Sequence, residues 1–173
     1  VVIGIITLMF FLYTKVDIII LKQFGYIIEI GYYELINKLF IIMAVPFVIV
    51  GQVLAPDITK YYTQKRYLTV QAKFRNHLIF AFISSLMLAA VIYFVFPVLV
   101  QLFFSDYFTP TTIIMFKLLL LMLPLKLTAA VINHGHTVPT GNAHFSMWTM
   151  IPAGIANVIL DYFFISKYGF IGV

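Results

Sequence analysis

The apolar positions of this chain neither alternate nor form narrow stripes; they run on in long unbroken stretches. Five such runs stand out, at about Val1–Leu21, Gly31–Ala55, His77–Gln101, Thr112–Asn133 and His144–Ser166. Each approaches the roughly 20 apolar residues that carry an α-helix across a bilayer. A membrane barrel would show weaker, alternating segments of about ten residues. The pattern therefore predicts an all-α, polytopic transmembrane helix bundle of five spans.

The polar stretches between the runs set an orientation. The connection from Asp57 to Asn76 carries Lys60, Lys65, Arg66, Lys73 and Arg75 against the single acid Asp57, whereas Phe103–Pro110 carries only Asp106. Basic loops stay cytoplasmic, so the first connection is expected inside and the second outside. The segment His134–Asn142 is then a cytoplasmic loop, and the fifth run ends outside, near Lys167. Pro46, Pro97, Pro124 and Pro152 lie inside four of the runs. Each removes a backbone hydrogen bond, giving curvature for packing or a hinge for a moving bundle. Tyr32, Tyr33, Tyr61 and Tyr62 flank the second run, where tyrosines ordinarily form an interfacial belt.

Charges inside the runs change the picture. Lys15, Asp17, Lys38, Lys117 and Asp161 fall at similar depth in the outer half of the bilayer, and Lys126 lies deeper, just after Pro124. An ionisable group at membrane depth costs about 2.5–3.5 kcal/mol on insertion scales and ordinarily faces a bundle interior or a watery cavity. The stretch Tyr13–Tyr62, with acid and base in two adjacent spans, is the centre of this polar interior. On the fifth run Met150, Gly154, Asn157 and Asp161 recur at helical spacing on one stripe. Glu34 and Lys38 stand four apart in the order that favours an ion pair. Plainer readings exist. Lys15, Lys22 and Lys117 can snorkel to the interface, and Asp17–Lys38 and Asp161–Lys117 can be neutralising pairs. Lys38 and Lys126 fit snorkelling less well, and the lysines outnumber the acids, which leaves the interior positive.

Composition agrees with the pattern. Of 173 residues, 63% are hydrophobic and 10% charged, against about 25% charged in soluble domains. The net charge of +5 follows membrane topology rather than a nucleic-acid footprint. Cysteine is absent, which excludes disulfides and thiolate metal sites. Val1 already lies inside an apolar run and Val173 follows one closely, so the chain reads as an internal piece without a signal peptide. His134, His136 and His144 could in principle ligate a metal. Their neighbours Gly135, Pro139, Thr140, Gly141 and Asn142 are loop residues without a carboxylate, so interfacial loop histidines and no metal are expected. No nucleophile motif, phosphate-binding glycine loop or carboxylate dyad argues for an enzyme, and no cofactor is expected.

Several of these residues carry a family resemblance. Val16-Asp17-Ile-Ile-Ile-Leu, Gly31-Tyr-Tyr-Glu with Asn37-Lys-Leu, Pro46, Leu54-Ala-Pro-Asp-Ile-Thr, and Asn157-Val-Ile-Leu-Asp161 with Tyr168-Gly-Phe-Ile-Gly172-Val follow one another through most of the chain. Together they resemble the polysaccharide flippases of the multidrug/oligosaccharidyl-lipid/polysaccharide exporter superfamily. The resemblance implies five helices of one lobe of a MATE-like two-lobe transporter, with the remainder of the same chain, a second lobe, as partner. It implies flipping of an undecaprenyl-pyrophosphate-linked oligosaccharide, an O-antigen or capsule repeat unit, across the bacterial inner membrane. Lysines serve as point-charge partners for phosphate, and no arginine lies within a span.

The substrate-contacting candidates are Lys38, Lys126, Asp17, Asn157 and Asp161. The alternatives are an ion-coupled multidrug exporter with Asp17 or Asp161 as coupling site, an intramembrane metal-dependent enzyme using the histidine segment, and a structural membrane subunit with its charges fully paired. Membrane lipid is an expected partner and nucleic acid is not.

Overall fold

The long apolar runs become long helices. A computed structural model describes residues 14–103 and 110–172. The chain is helical over 14–23 (α1), Ile27–Thr63 (α2), Tyr67–Phe103 (α3), Pro110–Ile132 (α4) and Ala143–Tyr168 (α5). A π-helical turn, Asn133–Thr137, prolongs α4, and a 3₁₀ turn, Gly169–Gly172, follows α5. No strand occurs among the described residues, so the chain is all-α.

Three segments are long and apolar enough to cross a membrane: Ile27–Thr63, Tyr67–Val98 and Thr112–Thr137, with peak mean hydropathies of 2.3, 2.6 and 2.0. In water such helices would have to bury their side chains. Only 11% of the α2 stretch is buried, and Ile28, Val53, Leu68, Phe94 and Leu121 stand exposed. Lipid is the solvent that accommodates this surface, and the chain is a membrane protein. The first predicted run lies mostly outside the described residues; α1 supplies its last part.

The helices are longer than the predicted spans, and the connections correspondingly shorter. At 1.5 Å per residue, α2 and α3, of 37 residues each, extend about 55 Å, against a hydrocarbon core of about 30 Å. The predicted basic loop Asp57–Asn76 is therefore the end of α2 and the start of α3, joined by the short turn Gln64–Arg66. Polar residues there end the membrane span but not the helix. Pro56, like Pro46, Pro97, Pro124 and Pro152, sits inside a helix.

One device makes all three described helix-to-helix turns. In the first, the amide of Tyr26 bonds the carbonyl of Leu21 and that of Gly25 bonds Lys22, at 3.1 Å each. In the second, Arg66 bonds Tyr61 and Lys65 bonds Tyr62; in the third, Asn142 bonds Thr137 and Gly141 bonds Val138. This nested pair of bonds, the Schellman motif, satisfies carbonyls left over at a helix end and needs a left-handed residue just past it. Gly25 (φ 84°), Lys65 (φ 58°) and Gly141 (φ 74°) fill that position.

The fold divides into two compact units. The first takes the chain up to Leu35 and from Ala143 onward; the second is Ile36–Asn142. In the second, Ala81, Ser85, Ala89, Ile92 and Phe96 make one buried stripe along α3, and Phe116, Leu120, Leu123, Leu127 and Val131 make one along α4. Phe96 and Phe116 stack, with Phe40 of α2 6.0 Å from Phe116. The buried Ser85 hydroxyl donates to the carbonyl of Pro124 at 3.2 Å, and Thr128 donates to the same carbonyl at 2.7 Å. Gly51 of α2 meets the π-helical turn so closely that a Cβ there would lie 2.9 Å from the Val131 carbonyl oxygen. Small residues permit such backbone approach between helices in lipid.

Candidate functional site

In the first unit, α1, the beginning of α2 and α5 bring together two of the predicted acids. The tight turn at Gly25 folds α1 against α2, so residues equidistant in sequence from Gly25 face each other. Asp17 and Tyr33 are such a pair, and both are buried. The Tyr33 hydroxyl donates to Asp17 Oδ2, and the amide of Ile18 donates to Oδ1 at 2.9 Å. One step outward, Lys15 Nζ lies 2.7 Å from Glu34 Oε1.

Helix α5 supplies the second acid. The predicted stripe is its inward face: Gly154 and Asp161 are buried and Asn157, one turn before Asp161, is half-buried. Met150 lies outside the residues whose side chains are described. Asp161 is 9% exposed and sits within electrostatic range of Asp17. Its Oδ2 is buried without a hydrogen-bond partner among the described residues. Leaving a buried polar atom unpaired costs about 1–3 kcal/mol, more when it is charged. A buried oxygen of this kind is explained by strain, by a functional role, or by a water or ion that occupies the site. Carboxylates and a phenol are oxygen groups of the type that hard cations take and that accept a proton.

Both α5 and the turn after it are fixed to this unit. Tyr162 lies 5.8 Å from Phe24, ring centre to ring centre, and the buried Phe170 lies 6.4 Å from Tyr26. Gly169 (φ 64°) passes directly over Tyr26; a Cβ there would sit 2.7 Å from its hydroxyl.

Other predicted residues are placed differently. Lys38 on α2 and Lys126 on α4 are both exposed and belong to the second unit. The i, i+4 pairing of Glu34 with Lys38 gives way to Lys15–Glu34, because the hairpin brings Lys15 within 2.7 Å. The neutralising partners expected for the acids also differ. Asp17 is held by a phenol and an amide, and Lys117 lies over the Tyr93 ring, 5.0 Å from its centre.

The histidine segment is a loop only in its second half: Asn133–Thr137 is the π-helical turn, and 138–142 is the turn into α5. His136 is buried on the π-helical turn, and its Nε2 lies 2.9 Å from Nδ1 of His77 on α3. Phe74 stands edge-on to His136, with ring centres 5.3 Å apart. Gly135 lets the helix continue, since its backbone lies against Gly51. The His144 side chain lies outside those described, and no cluster of three or more metal-ligating side chains occurs among the described residues.

Two contributors escaped the sequence reading. By sequence Tyr33 reads as a residue of the interfacial belt, although its distance from Gly25 mirrors that of Asp17. By sequence His77 is only the start of a span, and nothing there joins it to His136.

The fold and this cluster define an all-α membrane protein with a buried pair of acids supported by a tyrosine. The chain matches no family model, no curated protein and no solved structure.

Proposed function

We propose that this chain is part of an ion-coupled, multi-pass membrane transporter in which Asp17, Tyr33 and Asp161 receive a proton or a small cation. The observation that carries the reading is Asp161: buried on α5 in the same unit as a second buried acid, Asp17, with an oxygen left unpaired among the described residues. A structural subunit would have no reason to keep so costly an arrangement, whereas intramembrane acids mark ion and proton pathways. Binding of a cation, or protonation, relieves the unpaired oxygen and the repulsion between the acids. The energy of the site thus depends on its occupancy, and an ion gradient needs that dependence to act on a conformational equilibrium.

The cargo follows from the resemblance: an undecaprenyl-pyrophosphate-linked oligosaccharide moved across the bacterial inner membrane, with a second lobe completing the pathway. Lys38 and Lys126 are exposed in the second unit and supply positive charge for an anionic head group. The acid pair itself favours a second reading, a multidrug exporter of the same superfamily, since a cationic drug and an ion would compete for it. An intramembrane metal enzyme draws less support, because His136 spends its Nε2 on His77 and is buried among helices.

The test is reconstitution of the full chain into vesicles with a prenyl-pyrophosphate-linked saccharide on one side and a proton or sodium gradient imposed. Asp17→Asn and Asp161→Asn should each abolish the gradient's effect on transport. Wild-type coupling in both variants would overturn the ion-coupled reading. Coupled movement of a cationic drug, with none of the saccharide, would select the exporter.

A further inference from the structure

The far ends of α2 and α3 form a second feature, independent of the acid pair. Beyond Leu54 the helix α2 continues to Thr63, and α3 begins at Tyr67, well before its apolar stretch. At 1.5 Å per residue, Lys60 stands about 9 Å past Leu54 along the axis. On α3, Arg75 stands about 4 Å before Leu78, where the apolar run sets in. Both cations therefore reach the headgroup layer, which adds roughly 5–8 Å on each side of the hydrocarbon core. Lys65 and Arg66, at the turn, stand a little further out, within about a Debye length of that layer.

The hairpin commits few of its charges internally. Asp57 and Lys73, equidistant from Lys65, lie 3.7 Å apart. Lys73 and Arg66 also lie over the ring of Tyr61, at 5.1 and 4.9 Å, and Tyr62 meets Tyr67 edge-on. Lys60, Lys65, Arg66 and Arg75 are exposed. Leu68, Gln71, Ala72 and Arg75 recur at helical spacing on one side of α3 and, with Phe74, line an open groove. Its character is amphiphilic, with apolar groups beside a guanidinium that binds phosphate with two parallel bonds.

We propose that this hairpin, Asp57–Asn76, binds anionic phospholipid headgroups, with Arg75 and Lys60 on the phosphate, the Leu68–Phe74 groove on the adjoining acyl chain, and Lys65 and Arg66 held to the charged surface. The occupant follows from charge and position together. The exposed cations stand at headgroup depth beside exposed apolar groups, where a lipid presents a phosphate and a chain at once. The inference rests on the membrane assignment and not on the transport reading, so a lipid-binding measurement tests it separately.

The experiment is native mass spectrometry of the full chain purified in mild detergent and titrated with phosphatidylglycerol or phosphatidylcholine. Phosphatidylglycerol should bind about tenfold more tightly or better. The combined variant Lys60→Gln, Lys65→Gln, Arg66→Gln and Arg75→Gln should bind both lipids alike, while Lys60→Arg with Lys65→Arg keeps the preference. Equal binding of the two lipids by the wild-type chain, or an undiminished preference in the neutralised variant, would overturn the proposal. If that variant does not fold, two measurements decide. The wild-type preference must fall as salt is raised, and Arg75→Gln alone must weaken it; failure of either counts against the proposal. Displacement of the lipid by millimolar inorganic phosphate would identify a phosphate site instead and would equally overturn it.

Discussion

Replacing Tyr33 by phenylalanine removes one oxygen and leaves the ring. In the wild-type chain that oxygen donates to Asp17 Oδ2, with both residues buried. The variant leaves Asp17 with the Ile18 amide as its remaining hydrogen bond. A hydrogen bond to a charged group contributes about 1.5–3 kcal/mol net, and a buried acceptor stripped of its donor bears its full desolvation cost. Tyr33→Phe should therefore destabilise the chain by about 2 kcal/mol. In the background of Asp17→Ala the phenol no longer meets the carboxylate, and the same change should cost less than about 0.5 kcal/mol. The coupling energy of the double-mutant cycle is then roughly 1.5–2.5 kcal/mol. Reversible unfolding in mixed sodium dodecyl sulfate micelles, followed by the fluorescence of Trp148, the one tryptophan, measures all four corners. A coupling energy below about 0.5 kcal/mol would refute the claim that the phenol supports the acid. It would also remove the reason for counting Tyr33 with the proposed ion site.

Further outcomes follow from other parts of the fold. Lys65→Gly should stabilise the chain by about 1 kcal/mol in the same unfolding assay, because Lys65 holds the left-handed position (φ 58°) that glycine takes at Gly25 and Gly141. Gly51→Ala should destabilise by about 1–3 kcal/mol, since its Cβ would meet the Val131 carbonyl oxygen at 2.9 Å, whereas Gly31→Ala, with open space around it, should be neutral or stabilising. A cysteine at Gln64, on the basic turn, should react with an impermeant thiol reagent only after cells are opened; labelling of intact cells would reverse the orientation assigned from charge.

The helical class and the three long apolar helices α2, α3 and α4 were legible because bilayer thickness imposes a length on apolar runs. The ends of α2 and α3 were not. Polar residues from Asp57 to Asn76 read as a loop, yet nothing in that stretch prevents a helix, and helical backbone satisfies its own hydrogen bonds as well in the headgroup region as in lipid. The first half of the histidine segment, which is helical, misled for a related reason. Gly135 and Pro139 carry loop chemistry, but Gly135 is where the backbone passes against Gly51, a role visible only once α2 is in place. On α5 the spacing of Gly154, Asn157 and Asp161 was sufficient, since helical periodicity alone decides which residues share a face.

The charge pairings show where sequence spacing stops being informative and what replaces it. Within one helix, Glu34 and Lys38 satisfy the i, i+4 rule, and such a pair contributes only about 0.2–0.5 kcal/mol. The partner actually taken, Lys15, comes from the neighbouring helix, and the controlling parameter is the place of the turn. Once Gly25 is known to be left-handed, Asp17 must face Tyr33, and Lys15 falls beside Glu34. The same construction about Lys65 puts Asp57 opposite Lys73. Gly25 announces its turn in the sequence; Lys65 does not, because nothing about a lysine signals a positive φ. A short turn between long antiparallel helices is therefore worth locating before any intramembrane pair is assigned. An error of one residue in its position rotates each helix by about 100° relative to its expected partners. The acid pair needs one step more. Asp161 and Asp17 are buried in the same unit through tertiary packing of α5, and only the coincidence of two acids on inward faces hinted at it. That coincidence carries the functional reading, because packing alone would favour leucine at either position.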